Sequence, residues 1–206
     1  MWKVSAAALH WPGGNKSGKQ NLPQLLTSAM QRSCRKVILL LKIFYYFHLT
    51  LTMISIIDWQ PEYQKDWRGL NLAWISKDYE VEPVDLETLD YPDKYFFQGG
   101  GAILLAQRMD TGEIVGTVGL QPFGNGVLEL CKMTVAEHVR GLHIGDKLGM
   151  AALDRARTLG ASKVFLLSNA AKAYQAINLY YKLGFRCVAL NSTEFKRATI
   201  QMEICF

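Results

Sequence analysis

Residues 127–160 read VLELCKMTVAEHVRGLHIGDKLGMAALDRARTLG, and this stretch decides the fold. Its first part, Val127 to Val135, is rich in branched and apolar residues and follows the turn signal Gly124-Asn125-Gly126, which predicts a strand. A compact loop with two glycines follows at Arg140 to Gly145. From Asp146 onward apolar residues recur every three or four positions, and Gly160 stands where a C-cap belongs, which predicts a helix.

A strand, a glycine-bearing loop and a helix N-terminus in this order predict an anion-binding site. The free N–H groups of the loop and the positive end of the helix dipole converge on one point. Arg140 adds a full positive charge beside it. We therefore expect a negatively charged ligand at this loop.

The same loop resembles a family signature. Arg140-Gly141-Leu142-His143-Ile144-Gly145 is similar to the Gln/Arg-x-x-Gly-x-Gly/Ala pyrophosphate loop of the GNAT superfamily of N-acetyltransferases, which bind acetyl-CoA. The stretch AINLYYKLGF, Ala176 to Phe185, looks like the Ala-Ile-x-Leu-Tyr-x-Lys-Leu-Gly-Phe helix end of that superfamily. An apolar strand candidate, Lys163 to Ser168, lies between the two motifs. The resemblance covers about residues 54–206, and the ordered pair is more specific than a lone glycine-rich loop.

One residue departs from the signature. His143 stands where the motif usually has its first glycine. A side chain is tolerated there only if the backbone does not need a positive φ angle. The φ angle of His143 therefore decides the geometry of the loop.

The whole pattern predicts an α/β layer fold rather than a bundle or a barrel. The expected order is a strand, two helices, three antiparallel strands, a helix, a strand, a helix and two final strands. The resemblance implies the GNAT acyltransferase fold, a mixed and mostly antiparallel central sheet flanked by helices and splayed between its two central strands. The predicted elements outside residues 127–185 are a strand at Ile54 to Trp59, a helical stripe at Tyr63, Trp67, Leu70, Ala73 and Trp74, a helix at Val84 to Leu89, a hairpin at Ala102 to Met109 and Ile114 to Gln121, and strands at Arg186 to Leu190 and Arg197 to Cys205.

Residues 1–52 differ from the rest of the chain in charge. They contain seven basic residues and no Asp or Glu, whereas residues 53–206 contain 16 basic and 18 acidic residues and carry a formal net charge of −2. The sequence pI of about 9.0 therefore comes from the N-terminal extension and gives no reason to expect nucleic-acid binding by the folded domain. We predict an extension at residues 1–52 and an N-acetyltransferase domain at residues 53–206.

Three interpretations of residues 1–52 remain open. They could precede a functional start at Met53, form a membrane anchor through the apolar segment 37–53, or be a basic targeting segment of mitochondrial type. The apolar segment is short for a spanning helix. The first interpretation is favoured because Met53 falls just before the first predicted strand, and with it a cytoplasmic location. Membrane contact is expected only if segment 37–53 is a genuine anchor.

The resemblance implies direct transfer of an acetyl group from the thioester of acetyl-CoA to an amine in a ternary complex. It assigns the pantetheine to the backbone groups of Met133 and Val135, which would pair with it as with an extra strand. It also implies cofactor contacts for Asn169 and Asn178, although Asn178 could equally be a solvated polar residue. The pyrophosphate would be held by Arg140, Gly141, Leu142, His143, Ile144, Gly145, Asp146 and Lys147.

Glu129 is the candidate general base. In a regular strand residues 129, 131, 133 and 135 share one face, and a carboxylate among apolar neighbours is costly without a task or a partner. Its position six residues before Val135 is similar to that of the catalytic glutamate in histone-type members of the superfamily. The alternative is a structural glutamate that orients the strand or the acceptor.

Tyr180 matches the tyrosine that the superfamily places beside the CoA sulfur, so the resemblance implies a general acid or a thiol-positioning group. Simple packing is the alternative, and the neighbouring Tyr181 is expected in the core or at the surface. The four cysteines show neither metal-ligand spacing nor a disulfide framework, which fits a reducing compartment, and no metal is predicted. Cys131 is expected to be a small core residue, since no base that would activate it for acyl transfer is apparent.

Two other functions remain open. The domain could be a non-catalytic acyl-CoA sensor, or an interaction module without affinity for the cofactor. The amine acceptor would be selected by the two N-terminal helices and the loop near Asn191 to Lys196, and neither carries a motif that identifies it. A homodimer is possible, because dimers are common in the superfamily.

Overall fold

The computed structural model describes residues 37, 38, 42, 54–191 and 195–206. The chain divides into two units, one ending at Phe47 and the other beginning at His48. In the first unit the described residues are helical. Within the described parts of the chain, no helix has the length and apolar character needed to cross a membrane. Most of segment 37–53 and the boundary at residue 53 lie outside the described residues, so the anchor and the domain boundary stay predictions.

The second unit is a mixed β-sheet with helices on both faces. Its described strands and α-helices are β1 (Ile54–Asp58), α1 (Gln64–Asp78), α2 (Pro83–Asp90), β2 (Ala102–Arg108), β3 (Ile114–Pro122), β4 (Val127–Val135), α3 (Ile144–Thr158), β5 (Lys163–Ser168), α4 (Tyr174–Lys182), β6 (Arg186–Val188) and β7 (Ile200–Cys205). The strand order is β1-β2-β3-β4-β5-β7-β6. Strands β4 and β5 run parallel, and the other neighbouring pairs are antiparallel.

The predicted fold class and order of elements are confirmed. Strands β4 and β5 begin and end at the predicted residues. Helix α3 begins at Ile144, two residues before the predicted start, because the Lys147 N–H already donates to the His143 carbonyl at 3.2 Å. The last two strands are shorter than predicted, since β6 ends at Val188 and β7 begins only at Ile200.

Each face of the sheet has its own hydrophobic core. Helices α3 and α4 cover one face around Leu148 and Phe185, and α1 and α2 cover the other around Trp67. In β2, Leu104 belongs to the first core and Leu105 to the second, as the alternation of side chains along a strand requires. A strand buried on both faces reads as a continuous apolar run, which explains the sequence of β2.

The buried stripe of α1 differs from the predicted one. Trp67, Asn71 and Ile75 are fully buried, whereas Ala73 is exposed. Asn71 can be buried because its Nδ2 donates to the Trp67 carbonyl at 2.9 Å and to Thr117 Oγ1 at 3.1 Å. The prediction that placed Ala73 on this stripe is wrong, because a pattern of apolar residues alone passes over a polar residue whose hydrogen bonds are made inside the core.

The predicted C-cap at Gly160 is confirmed. Gly160 has a φ angle of +76° and donates to the Arg157 carbonyl, and Ala161 donates to the Ala156 carbonyl. These two bonds form a Schellman motif, which needs a left-handed residue. Helix α4 ends with the same motif at Gly184.

Candidate active site

Strand β4 contains a β-bulge at Lys132. Gly119 and Thr117 of β3 pair with Cys131 and Thr134, so β4 contributes one residue more than β3 over this interval. Lys132 adopts a left-handed conformation with a φ angle of +51°. An extra residue on one strand reverses the alternation of faces beyond it.

The bulge changes which residues share a face with Glu129. Cys131, two residues after Glu129, packs against the core around Trp67 on the α1 side. Met133 and Val135 pack against the other core, on the α3 side. The prediction that residues 129, 131, 133 and 135 share one face is therefore wrong, because regular alternation does not continue across a bulge.

Strands β4 and β5 separate toward their C-terminal ends. The parallel register joins Val127–Glu129 to Lys163–Phe165, while β5 stays paired with β7 as far as Ser168. The Ala136 N–H donates to the Val115 carbonyl of β3, so by alternation the backbone groups of Met133 and Val135 face the gap. We call this gap, between residues 130–135 of β4 and 166–168 of β5, the seam.

The loop of residues 140–145 follows β4 at the open end of the seam. Gly141 has a φ angle of +83° and His143 one of +56°. His143 is the N-cap of α3, so the position where the signature has a glycine does need a left-handed backbone. The histidine adopts that conformation at a cost of about 1 kcal/mol relative to glycine. The side chain thus strains the loop without preventing its shape.

Three elements meet at Gly145 in the first turn of α3. A methyl group at Gly145 would lie 3.2 Å from a Leu179 methyl carbon of α4 and 4.0 Å from the Met133 Cε of β4. The first N–H groups of α3 have no acceptor within the helix, and the helix dipole adds partial positive charge at the same end. The end of the seam is therefore suited to bind an anion.

The side chains around the loop are exposed and weakly paired. Arg140 approaches Glu137 Oε1 at 3.4 Å, and its Nε donates to the Val135 carbonyl at 3.4 Å. Glu137 also accepts from Lys77 at the end of α1, and Lys77 and Arg140 together hold the pKa of Glu137 below its usual range. His143 Nδ1 lies 3.3 Å from Asp146 Oδ2. Exposed pairs of this kind contribute little to stability, so the charge of Arg140 remains available to a ligand.

Two adjacent tyrosines of α4 have opposite surroundings. Tyr181 is 46% exposed, and its hydroxyl lies 3.0 Å from Cys187 Sγ. Tyr180 is buried against Phe185, with ring centroids 6.0 Å apart. Burial, and to a lesser extent the nearby Cys131, raises the pKa of Tyr180 to about 12. Its phenol is therefore protonated at neutral pH and can donate a hydrogen bond.

Glu129 lies where β4 is still paired on both sides. It is 5% exposed and stands in register between Gln121 of β3 and Phe165 of β5. Burial and the charge of Glu129 raise the pKa of the nearby Cys131 thiol well above its ordinary value. A protonated thiol is a poor nucleophile, and Cys131 is partly buried and packs against the core around Trp67.

The two predicted asparagines have different surroundings. Asn169 Oδ1 accepts from the N–H groups of Ala171 and Lys172, each at 3.0 Å, and its Nδ2 donates to the Arg197 carbonyl at 2.8 Å. Its amide therefore fixes the loop after β5. Asn178 is exposed on α4. A cofactor contact of either residue stays a prediction.

A buried ion-pair cluster beside the bulge was missed by the sequence reading. We call it the Asp85 cluster, and it consists of Glu82, Asp85, Lys132 and Arg197. Asp85 is fully buried and accepts from Lys132 Nζ at 2.7 Å and from Arg197 Nη2 and Nη1 at 2.6 and 2.7 Å. Glu82 Oε1 lies 3.1 Å from Arg197 Nη1. The available signal was Lys132 itself, because a lysine inside an apolar strand needs a partner.

The Asp85 carboxylate remains charged in this cluster. Burial alone would raise the pKa of Asp85, but the Arg197 and Lys132 cations outweigh it and hold the pKa below its ordinary value. The Glu82 N–H also donates to Asp85 Oδ2 at 3.1 Å, so the carboxylate accepts four hydrogen bonds in all. Its hydrogen-bonding capacity is therefore filled.

Comparison with known sequences connects this geometry to a family. Residues 57–185 match the acetyltransferase (GNAT) family. The Xenopus tropicalis protein named "Probable N-acetyltransferase camello" is 32% identical over 146 residues, which cover 69% of this chain and 60% of that protein. The Escherichia coli K12 protein named "Uncharacterized N-acetyltransferase YjgM" is 34% identical over 113 residues, which cover 53% of this chain and 64% of that protein. The chain thus spans less than two thirds of the length of these curated relatives.

Solved structures show the same fold. An acetyltransferase of the GNAT family from Staphylococcus aureus Mu50 aligns with a TM-score of 0.67 at 24% identity and covers 73% of this chain and 97% of its own. The yncA protein of Salmonella typhimurium, solved with its cofactor acetyl-CoA, aligns with a TM-score of 0.57 at 16% identity and covers 74% and 93%. At these identities the likeness shows the fold alone. Since the match to the family covers residues 57–185, more than half of this chain, the chain belongs to the acetyltransferase (GNAT) family.

Proposed function

We propose that this chain is an acetyl-CoA-dependent N-acetyltransferase, which transfers an acetyl group to a primary amine by direct attack in a ternary complex. The observation that carries the proposal is the seam, with the backbone groups of Met133 and Val135 facing a gap that leads to the N-terminus of α3. The names of the camello and YjgM relatives and the cofactor of the yncA structure support it.

The parts of acetyl-CoA match the parts of this surface. An extended pantetheine with amide groups can pair with the backbone of Met133 and Val135, as a peptide adds to a sheet edge. The pyrophosphate fits the N-terminus of α3, where residues 141–147 offer N–H groups and Arg140 offers a charge. The acyl end would then lie deeper in the seam, toward Glu129 and Tyr180.

We assign the base to Glu129. An acceptor ammonium has to lose a proton before its nitrogen can attack the thioester carbon, and Glu129 would take this proton through water. The C–N bond then forms and the C–S bond breaks. The second proton leaves the nitrogen and ends on the CoA sulfur. Glu129 lies on the α1 side of β4, the side on which the acceptor was expected to bind.

We assign Tyr180 to the leaving group as a hydrogen-bond donor. An ordinary thiol has a pKa of about 8.5, so a phenol with a pKa of about 12 would give up its proton to the thiolate only against a large free-energy difference. A donated hydrogen bond stabilises the thiolate as charge develops, without complete proton transfer. This role corresponds to the thiol-positioning interpretation and not to a general acid.

Direct attack is supported over an acyl-cysteine route. Cys131 is the cysteine nearest to Glu129 in sequence, and burial keeps its thiol protonated. A thiolate is the reactive form of cysteine, and a thiol whose pKa is raised supplies little of it.

The test begins with calorimetric titration of acetyl-CoA, and separately of CoA, into the full-length protein. Micromolar binding of both is expected. A panel of amines with detection of released thiol follows, and amine-dependent release is expected for at least one class. Binding without release for any amine would favour the acyl-CoA sensor, and failure of the folded protein to bind either compound would contradict the proposal.

A substitution at Glu129 tests the proposed base. Glu129→Gln keeps the size of the side chain but removes the basic oxygen, so kcat/KM should fall by about 100-fold with unchanged acetyl-CoA affinity. Glu203→Gln on β7 is the matched control, because Glu203 pairs with Lys163 at 3.4 Å near the surface. If Glu129→Gln reacts as fast as the control, Glu129 is a structural residue.

A further inference from the structure

We propose that Asp85 is a positioning residue, which holds the β4 bulge beside the seam through Lys132 and the loop before β7 through Arg197, and so places the seam relative to the expected acceptor region for the transfer reaction. The inference rests on the proposed function, since it assigns a role within that reaction. It adds a residue that carries no chemistry of its own.

The contacts of Asp85 join three separate elements. Asp85 lies on α2, Lys132 on the β4 bulge and Arg197 in the segment before β7. Both oxygens of Asp85 face Arg197, and Oδ1 also accepts from Lys132 Nζ. The side chains of Asp85, Lys132 and Arg197 are 0%, 5% and 16% exposed, so water screens these ion pairs little.

The bulge is held from a second direction as well. The Thr117 hydroxyl donates to the Lys132 carbonyl at 2.8 Å, and Asn71 Nδ2 of α1 donates to Thr117 Oγ1 at 3.1 Å. Helix α1 therefore fixes the backbone of Lys132, and helix α2 fixes its side chain through Asp85. A left-handed lysine is strained, and it persists only where the surroundings determine its conformation.

The position of the bulge decides what the seam offers to a ligand. Because of it, Met133 and Val135 turn their side chains toward the α3 core and their backbone groups toward the gap. If the bulge moved along β4 past Met133, that residue would turn its side chain to the opposite face. The Asp85–Lys132 pair opposes this shift, because the ammonium would leave a buried carboxylate.

The segment before β7 depends on the same carboxylate. The Arg197 guanidinium lies over the rings of Phe195 and Tyr79, at 4.6 and 5.9 Å from their centroids. The Lys196 N–H donates to Glu82 Oε2 at 3.3 Å. The segment before β7 is thereby fixed to α2, and both were expected to border the amine acceptor. Asp85 thus connects the seam and the loop at its open end, which we call the donor side, with α2 and the segment before β7, which we call the acceptor side.

The test is a double-mutant cycle in the full-length protein with Asp85→Asn and Lys132→Met. The methionine keeps the stem of the lysine and removes the ammonium. The first readout is amide hydrogen exchange at Ala136, whose N–H donates to the Val115 carbonyl of β3 just beyond the bulge, compared with Leu105 in the middle of the sheet. The second is acetyl-CoA affinity by calorimetry. Asp90→Asn is the matched control on the same helix, because Asp90 pairs with Arg68 at 2.6 Å on the surface.

We expect Asp85→Asn to speed exchange at Ala136 by more than at Leu105, whose exchange reports global unfolding, and to weaken acetyl-CoA binding by about tenfold or more. In the Lys132→Met background, Asp85→Asn should change the acetyl-CoA affinity by less than about threefold, because the contact to the bulge is already gone. It should still raise KM for the amine, since the contact to Arg197 is lost only then.

Additive effects of the two substitutions on acetyl-CoA affinity, or exchange that rises equally at Leu105, would overturn the proposal. If Asp85→Asn does not fold, Lys132→Met alone decides, because it keeps the Asp85–Arg197 pair and should still speed exchange at Ala136. If no amine releases thiol from the wild type, the proposed function fails, while hydrogen exchange still judges the role of Asp85.

Discussion

The donor side and the acceptor side are held together in different ways. On the donor side, the predicted anion site consists of main-chain N–H groups from consecutive residues, and the side chains around it are exposed. On the acceptor side, the Asp85 cluster joins buried side chains that lie 47 and 112 positions apart in the chain. A site made of backbone groups tolerates exchanged side chains, as His143 shows, whereas a buried ion cluster depends on each member.

The largest expected effect comes from removing the centre of the Asp85 cluster. Asp85→Asn leaves Lys132 buried without its counter-ion and Arg197 with Glu82 alone, so the free energy of unfolding at pH 7 should fall by about 3–5 kcal/mol. Because the pKa of Asp85 is lowered in the folded state, this stability is present above the ordinary carboxyl pKa and is lost as the pH falls through the folded value. Denaturant unfolding of both proteins at pH 7 and at pH 3 measures the loss of stability and its dependence on pH.

The Asp90→Asn control belongs to the same experiment. Its pair with Arg68 is about 40% exposed, and the expected change is below about 1 kcal/mol. Equal losses of stability for Asp85→Asn and Asp90→Asn would mean that the buried Asp85 cluster contributes no more than an exposed ion pair.

The next largest effect concerns Tyr180, the buried side chain that we assign to the donor side. Tyr180→Phe removes the hydrogen bond to the leaving sulfur, so kcat should fall by about 10- to 100-fold while acetyl-CoA affinity stays the same. Steady-state rates with a reactive amine measure the first, and calorimetry measures the second. Normal turnover would mean that Tyr180 serves packing alone.

The stability of the same variant has a signature at alkaline pH. Since the folded pKa of Tyr180 is about 12 and a free tyrosine titrates near 10, the wild type loses stability relative to Tyr180→Phe as the pH rises between these values. The difference should change by about 1 kcal/mol between pH 10 and pH 11. Tyr181→Phe is the control, and it should lack most of this change because Tyr181 is half-exposed.

A smaller effect is expected at the anion site itself. Arg140→Ala removes one charge but leaves the main-chain N–H groups, so acetyl-CoA affinity should weaken by about tenfold, and by less at high salt. Titrations at two ionic strengths measure this. Complete loss of binding would show that the donor side depends on a side chain as much as the acceptor side does.

The smallest effect should be favourable. His143→Gly relieves a left-handed side chain, so the free energy of unfolding should rise by about 0.5–1 kcal/mol, with acetyl-CoA affinity changed little. Thermal unfolding measures the change in stability, and calorimetry measures the acetyl-CoA affinity. A loss of stability would mean that the contact between His143 and Asp146 outweighs the strain.

The donor side was readable from the sequence because its signals are local. The turn at Gly124 to Gly126 lies directly before β4, and the C-cap at Gly160 lies just after α3. Each signal therefore stands next to the element whose end it fixes. The bulge at Lys132 depends on Thr117 and Asp85, which are distant in sequence, so a regular strand was predicted and Met133 was assigned to the wrong face.

The acceptor side could not be predicted from the sequence, because its contacts also join residues that are distant in the chain. Asn71 is polar and lies in the core because its amide donates to the Trp67 carbonyl and to Thr117, and periodicity assigned its place to Ala73. Asp85 reads as an ordinary polar residue at a helix start, and only the fold brings Lys132 and Arg197 to it. Local chemistry predicts caps and loops, whereas charge pairs across the sheet need tertiary structure.

The short register between β4 and β5 has a consequence for how the molecule unfolds. Only three residues of each strand pair, so few backbone hydrogen bonds join two units of the sheet, β1–β4 and β5–β7, which otherwise share the core around Leu148 and Phe185. A ligand lying in the seam as an extra strand would supply the missing backbone bonds and join the units. Mass action would then make the sharpness of the thermal transition, as well as its midpoint, depend on the concentration of acetyl-CoA.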